Sequence, residues 1–564
     1  MKLAELIRVA RGEKPADLLL THARVVNVFT GEVDSGNVAV YGDRIAGIGD
    51  YQAREVVDLE GRYLAPGLIS GHVHLESSLL DVGQYARAVV PRGTTSIVTD
   101  LHEIANVGGL AGIRYVMDYA RRLPLDLFLM APSCVPATHL ETSGASLGAE
   151  DIRRLLRLKN CLGLGEVMNF PGVLAGDPSV LAKLCLSQGK VIDGHAPGLS
   201  GKNLNAYLAA GMSSDHESVA LEEAREKLEK GMYVMIREGS SEKNLDTLLP
   251  LVTEKTSHRC LLVVDDRTPV DILRDGDMDA VVRQAIARGL EPVRALQMAT
   301  LNTAEYFRIS RLGAIAPGYQ ANLLVLGDLR RFQVEGVYYR GRLVAREGEM
   351  SAPGKPPRSE LTDTVNIKPF TPSDLRLSAR GEVEPVVEVV PGQIVTRKIM
   401  ERVRVVDGEV VPDTARDILK LAVVERHRAT GNIGRGLVKG FGLKSGALAS
   451  SVAHDSHNIV AVGVSNEDIY TAVKEIERLQ GGLVAVGEGK VLASLPLPIA
   501  GLLSDQPLEA VVSRLEKLEK VARELGTKLP SPFATLSFLA LPVIPELRVT
   551  DLGVVDVGEF KVIS

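Results

Sequence analysis

Gly71-His72-Val73-His74 follows the apolar stretch Pro66-Gly67-Leu68-Ile69-Ser70, and these two histidines are where the chain first offers chemistry. Side chains alternate faces along a strand, so His72 and His74 emerge close together on one side. Two neutral imidazoles held that way are half of a divalent metal site. One such pair is weak evidence, because histidines also serve as ordinary hydrogen-bonded core residues. The middle of the chain strengthens it. Asp100 with His102 and Glu103, then Glu166, His195, His216 and Asp265 each come after a short apolar run.

Those runs alternate with helical stretches. The strand candidates are Gly67–His72, Thr95–Thr99, Leu127–Met130, Cys161–Gly165, Lys190–Asp193, Met212–Ser214, Met232–Ile236 and Cys260–Val264. The clearest helix, Glu217 to Lys230, carries Glu/Lys and Glu/Arg pairs at helical spacing. Alternation of this kind predicts a parallel β/α architecture, and eight strands in roughly 240 residues predict a closed (β/α)8 TIM barrel over residues 67–310. Barrel enzymes take their catalytic groups from the carboxyl ends of the strands, where these candidates fall. An open doubly wound sheet would need a phosphate loop. The nearest approach, Gly440-Phe441-Gly442-Leu443-Lys444-Ser445-Gly446, has leucine where a Walker loop needs glycine and reads as a turn.

Six of the candidates form a binuclear set: His72, His74, Glu166, His195, His216 and Asp265. Imidazole and carboxylate suit manganese, iron or zinc, and a bridging carboxylate holds two cations a few ångströms apart. Water between two such ions ionises near neutral pH, giving a nucleophile without a reactive side chain. Asp265 is placed to accept its proton and deliver it to a leaving group, and Glu103 is the candidate acid for a ring nitrogen. Alternatively, Glu103 is a helix-start carboxylate. Asp266 beside Asp265 leaves open which of the two faces the metals. Together these residues predict metal-assisted hydrolysis of a C–N bond.

At 564 residues the chain exceeds one hydrophobic core. Short strand patterns in residues 1–66 return in 311–350, which predicts one small β-sandwich built from both flanks of the barrel. Residues 351–372 are rich in proline, serine and charge and read as a linker. Residues 373–564 form a third region with alternating strands and two helices, Glu467–Leu479 and Leu508–Leu525.

A net charge of -6 without a long basic run argues against nucleic acid. The first twenty residues lack a signal-peptide core, and the longest apolar run, Phe533 to Ile544, is too short and proline-broken to cross a bilayer. Cys134, Cys161, Cys185 and Cys260 show no Cys-x-x-Cys spacing, so reduced thiols in a cytoplasmic protein are expected. The same spacing excludes zinc deaminases of the Pro-Cys-x-x-Cys type.

His-x-His after strand one, histidines after strands five and six and aspartate after strand eight resemble the amidohydrolase superfamily. Most of its binuclear members bridge their metals with a carbamylated lysine after strand four, where this chain has Gly163-Leu164-Gly165-Glu166-Val167-Met168-Asn169. Glutamate there resembles the bacterial-type adenine deaminases within that superfamily. Gly71-His72-Val73-His74-Leu75-Glu76-Ser77-Ser78, His102-Glu103-Ile104-Ala105-Asn106-Val107, Asp193-Gly194-His195-Ala196-Pro197, Ser213-Ser214-Asp215-His216-Glu217 and Asp265-Asp266-Arg267 carry the likeness. It extends over nearly the whole chain. Departures are mild: Val264 stands where threonine is common and Leu101 where proline is.

The resemblance implies hydrolysis of adenine to hypoxanthine and ammonia by attack at C6, with two Mn(2+) or Fe(2+) ions bridged by Glu166. The expected architecture is thus α/β: a (β/α)8 TIM barrel of the amidohydrolase type, a small β-sandwich from both flanks and an additional C-terminal α+β domain. A homodimer acting on a small molecule, with no membrane partner, is expected. Glu76, Ser77, His102, Asp266, His454 and His457 are the expected substrate contacts. The last two lie in Ser451-Val452-Ala453-His454-Asp455-Ser456-His457-Asn458, which reads either as a lid or extra metal position at the barrel mouth or as a hydrogen-bonded turn. A cyclic-amide hydrolase and a non-catalytic barrel scaffold are the competing readings; glutamate in the lysine position and the full ligand set disfavour them.

Overall fold

The structure, a computed structural model, describes residues 3–350, 356–357, 361–391 and 393–563. Its centre is a succession of parallel strands: β1 (Leu68–Ser70), β2 (Thr94–Thr99), β3 (Asp126–Ala131), β4 (Cys161–Val167), β5 (Val191–Gly194), β6 (Ser214–Asp215), β7 (Tyr233–Arg237) and β8 (Cys260–Val263). β1 to β5 lie side by side in one parallel sheet and β6 to β8 in a second. Where the two meet, the Ser213 amide donates to the Ile192 carbonyl (3.0 Å). At the other end the Asp265 amide donates to the His72 carbonyl (3.0 Å), and Asp265–Asp266 pairs in parallel with Val73–His74. The eighth strand is thereby joined to the extension of the first.

These strands are buried on both faces, and β2 is buried at every residue. Parallel strands covered by helices read as continuous apolar or small-residue runs, which is why the sequence marks them. The predicted strand ends differ from the observed ones by no more than about two residues, as end assignments commonly do. The helix expected from Glu217 begins at Leu221 instead. Glu217 and Ser218 are held in the preceding loop, Glu217 by Arg237 and Ser218 by Asp215.

Both flanks of this centre enter one nine-stranded sheet. Its joint is Tyr63–Pro66, which pairs antiparallel with Leu323–Asp328, so that Leu323 faces Pro66 and Leu326 faces Tyr63. Leu18, Leu20, Val38 and Leu64 from one flank and Leu323 and Val325 from the other share a core.

The third region has an eight-stranded sheet that runs, in spatial order, from Thr396–Arg402 to Lys490–Pro496. Helix Asn466–Leu479 lies on it. Ser465 caps its first turn by accepting from the Asp468 amide (3.1 Å), and Ile469, Ala472, Val473 and Ile476 are buried at helical spacing. Residues 351–355 and 358–360 of the expected linker lie outside the described residues. Its remainder is packed: Leu361, Val365 and Ile367 are buried, the last two in the third region's core. Few apolar residues in a polar stretch suffice to anchor it, and composition averages them away. No helix among the described residues is long and apolar enough to cross a membrane.

Candidate metal centre

Loops at the carboxyl ends of the central strands, joined in one case by Asp455 of the third region, bring together five clusters of metal-ligating side chains, nearly all buried. His72 and His74 leave the end of β1 with their Nε2 atoms 3.1 Å apart. Two ligands on one tetrahedral ion, each at about 2.0–2.1 Å, stand roughly 3.3 Å from one another. The spacing therefore suits a shared cation.

Glu166, at the end of β4, faces both ways. Its Oε1 lies 3.3 Å from His74 Nε2 and 3.9 Å from His72 Nε2. Its Oε2 lies 2.5 Å from His195 Nδ1 and 3.3 Å from His216 Nε2. One carboxylate thus presents each oxygen to a separate pair of imidazoles. Asp265 Oδ1 is 3.5 Å from both His72 Nε2 and His74 Nε2, while Asp266 turns away and accepts from the Ser77 hydroxyl. Asp265 holds φ +62°, a left-handed conformation uncommon outside glycine that recurs where a side chain must be aimed. All six residues of the predicted binuclear set therefore stand around one buried space, nitrogen and oxygen donors only. His74 Nδ1 makes no hydrogen bond and lies 3.7 Å from Asp100 Oδ1. That donor set fits divalent manganese, iron or zinc.

The electrostatics agree with a site built for cations. Burial alone would raise the Glu166 carboxyl, but His195, His216 and His74 override it and hold it well below the usual carboxylate range. Burial is likewise outweighed at Asp265, which His72 and Arg237 hold well below its ordinary value. His216 is pushed up to about 9 against its burial, chiefly by Glu166. Imidazole must be neutral to ligate, so a bound cation would displace the proton that Glu166 favours on His216.

The other predicted residues fall around this space. His102 Nδ1 sits 2.8 Å from Asp100 and 3.6 Å from Glu166. Glu103, in the first turn of helix His102–Ala120, meets His454 Nδ1 at 2.5 Å and also His457 Nε2. The third-region turn thereby reaches the ends of the central strands, and burial of Glu103 is outweighed by its histidines, which hold it well below the usual carboxylate range. Glu76 accepts from the Ile104 amide (3.3 Å) and is pushed up to about 7 by burial. Asp193, at the end of β5, accepts from the Tyr306 (2.6 Å) and Ser214 (2.9 Å) hydroxyls.

Sequence reasoning misses two residues here. Arg237, at the end of β7, donates to Asp265 Oδ2 (2.7 Å) and grips Glu217, so it neutralises two buried carboxylates at once. Its signal is present in the chain: a charged residue directly after Met235-Ile236, at the one strand end of the second sheet without a predicted ligand. Glu217 groups with His195 and His216, and the predicted helix absorbs it.

The amidohydrolase family profile matches residues 63–344, and the adenine deaminase C-terminal domain profile matches residues 393–561. An adenine deaminase of Dehalococcoides mccartyi (strain ATCC BAA-2266 / KCTC 15142 / 195) is 60% identical over 563 residues, covering 100% of this chain and 99% of the relative. Adenine deaminase 2 of Carboxydothermus hydrogenoformans is 50% identical over 563 residues, with the same coverage. Among solved structures, the L-hydantoinase (dihydropyrimidinase) of Arthrobacter aurescens superposes with a TM-score of 0.45 at 14% identity, covering 60% of this chain and 97% of that one.

Proposed function

The chain belongs to the adenine deaminase family of amidohydrolases, and from that membership we propose how its buried cluster acts. The protein is a hydrolase that deaminates adenine. We take the eight parallel strands as a closed barrel and the third region as a domain that completes the mouth. His72, His74, Glu166, His195, His216 and Asp265 would hold two divalent ions, manganese or ferrous iron, with Glu166 between them. Bound there, such ions lower the pKa of a coordinated water and polarise the group under attack.

The remaining steps fall to side chains. Asp265 takes the proton of the attacking water with Oδ1 and passes it to the departing amino group, while Arg237 fixes Oδ2 and so the direction of the transfer. The purine gains oxygen at C6, ammonia leaves, and the second proton of that water is released as the C6 hydroxyl becomes a carbonyl, restoring the one that His454 gives up. Glu103 delivers a proton to a ring nitrogen. Ionised among its histidines, it draws that proton from His454, which Glu103 pushes up to about 9 against its burial, rather than holding it beforehand. Asp266, Ser77, Glu76 and His102 line the approach to the substrate edge.

The observation that carries this reading is Glu166, whose two oxygens face two pairs of imidazoles in a chain 60% identical to an adenine deaminase over its full length. Metal-loaded protein given adenine should release ammonia, and given hydantoins should open no ring. Ring opening without ammonia release would overturn it.

A further inference from the structure

Two cavities meet above the cluster. The inner one, about 50 Å3, has His74, Glu166, His195, His216 and Asp265 in its floor and a roof of Ile394, Phe538, Leu541 and Ile544 from the third region. The outer one, about 360 Å3, opens between the loops after β7 and β8 and the third region. Asp266, His454 and Phe538 line both and stand between them.

The inner volume is what the centres of water molecules can reach, and on that measure one water needs about 10–15 Å3, so the space holds about four waters. Adenine has ten heavy atoms, so the wall must move to admit it. The three dividing residues are not equally free. Asp266 is held by Ser77, and His454 by Glu103 at 2.5 Å. Phe538 has no polar side-chain tether; its ring only stacks on the His454 imidazole, centroids 4.5 Å apart and planes 13° from parallel. Its backbone, by contrast, is pinned. The fully buried Arg548 donates to the carbonyls of Phe538 (2.9 Å), Ile544 (2.8 Å), Ile394 (2.8 Å) and Pro545 (3.1 Å), which are the roof segments themselves. A fixed hinge carrying a free ring is what a swinging wall requires.

The chemistry of the floor and roof also differs in a way that suits a purine. Floor groups are charged and committed to cations and proton transfer. A purine presents a polar edge, which they can meet, and two flat apolar faces, which they cannot. We propose that Phe538 is a substrate-binding residue. Its ring divides the two cavities in the structure and, with substrate bound, leaves the His454 imidazole to stack on the purine. A flat nitrogen heterocycle already lies against it, and base–aromatic stacking is worth enough to decide affinity. The inference rests on the adenine reading above.

The chain contains no tryptophan, so Phe538→Trp makes a sole reporter at the position in question. Manganese-loaded Phe538→Trp should lose emission saturably when titrated with unsubstituted purine, at the concentrations where purine inhibits adenine turnover. Phe538→Ala should raise the KM for adenine about ten- to hundredfold with metal content equal to that of the parent. Phe538→Leu keeps the apolar bulk without the ring, so it should recover melting temperature but not KM. Unmoved emission at inhibitory purine, or a Leu variant with the parent's KM, overturns the proposal. Ammonia release by the parent protein is measured first. Its failure would sink the adenine reading and this inference with it, whereas an active parent with silent variants sinks only the role of Phe538.

Discussion

Replacing Lys227 by methionine should cost the metal-free protein about 3–5 kcal/mol, because it leaves an aspartate charged in the dry interior. The Lys227 side chain is 0% exposed and so is that of Asp215, its partner at 2.9 Å. The same ammonium donates to the Ala196 carbonyl (2.8 Å), the Ser218 hydroxyl (3.1 Å) and Glu223 (2.6 Å). Asp215 in turn accepts from the Ala196 amide (2.9 Å). Burial would raise the Asp215 carboxyl, yet Lys227 wins and it is lowered to about 2. Ala196 comes directly after His195 and Asp215 precedes His216, so this knot ties together two of the loops that carry ligands. About 3–4 °C should come off the melting temperature of a chain this long, and affinity for the ion nearest His195 and His216 should fall about 10–100-fold. Thermal melts of apo-protein and metal analysis after dialysis check both. Lys227→Met combined with Asp215→Asn should recover part of the loss, because removing both charges costs less than stranding one. A single variant that melts with the parent, or a double variant no better than the single, would refute the argument.

Glu166→Gln keeps the shape of the bridge but not its charge, and should bind fewer than two ions per chain and lose at least a hundredfold in turnover; metal analysis and ammonia release check it. Apo-protein should recover activity with manganese or ferrous iron without bicarbonate, because no lysine needs carbamylation, and a reconstitution series with and without bicarbonate tests this. Arg548→Met strands the four roof carbonyls and should destabilise by about 3 kcal/mol or more, read from chemical denaturation, while Arg548→Lys, with one point charge for four diverging acceptors, should fall between. Burial pushes the Asp81 carboxyl up to about 6 despite hydrogen bonds from Tyr115 and the Val82 amide. A raised carboxyl stabilises below its unfolded value of about 3.9 and loses that contribution as pH climbs through the folded value. Stability of the parent relative to Asp81→Asn should therefore fall by about 2–3 kcal/mol between pH 4 and pH 6, and denaturation of both proteins across that range measures it.

Much of the site is legible because barrel-type strands announce themselves twice, as apolar runs and by the polar residue at their carboxyl ends. His72, His195, His216 and Asp265 each stand at such an end, so the strand reading locates the ligands without any contact being known. Lys227 shows where that reading fails. Glu223 and Lys227 are spaced like a solvent-facing helical pair, and periodicity places them on a surface. The structure buries the lysine, because the acceptors that make burial tolerable come from residues 196, 215 and 218, none of them on its helix. Arg237 escapes for a related reason: a cation among candidate metal ligands looks like a competitor until its two carboxylate partners are seen. Residues that act by compensating charge have no spacing of their own.

The same logic explains why the third region cannot be treated as an appendage. The central strands supply a floor whose groups repel one another unless cations and Arg237 balance them, and such a floor left open to water would have its interactions screened. The roof residues Phe538, Leu541 and Ile544 lie in the segment whose apolar run is too short for a membrane. An apolar run that crosses no membrane must be covered by protein, and here the cover is a polar cluster on another element. Held in place by Arg548, that run keeps solvent from the charges beneath it, while His454 and His457, supplied by the same region, meet Glu103 across the joint. Central strands and third region each expose what the other needs buried, so neither surface makes physical sense alone.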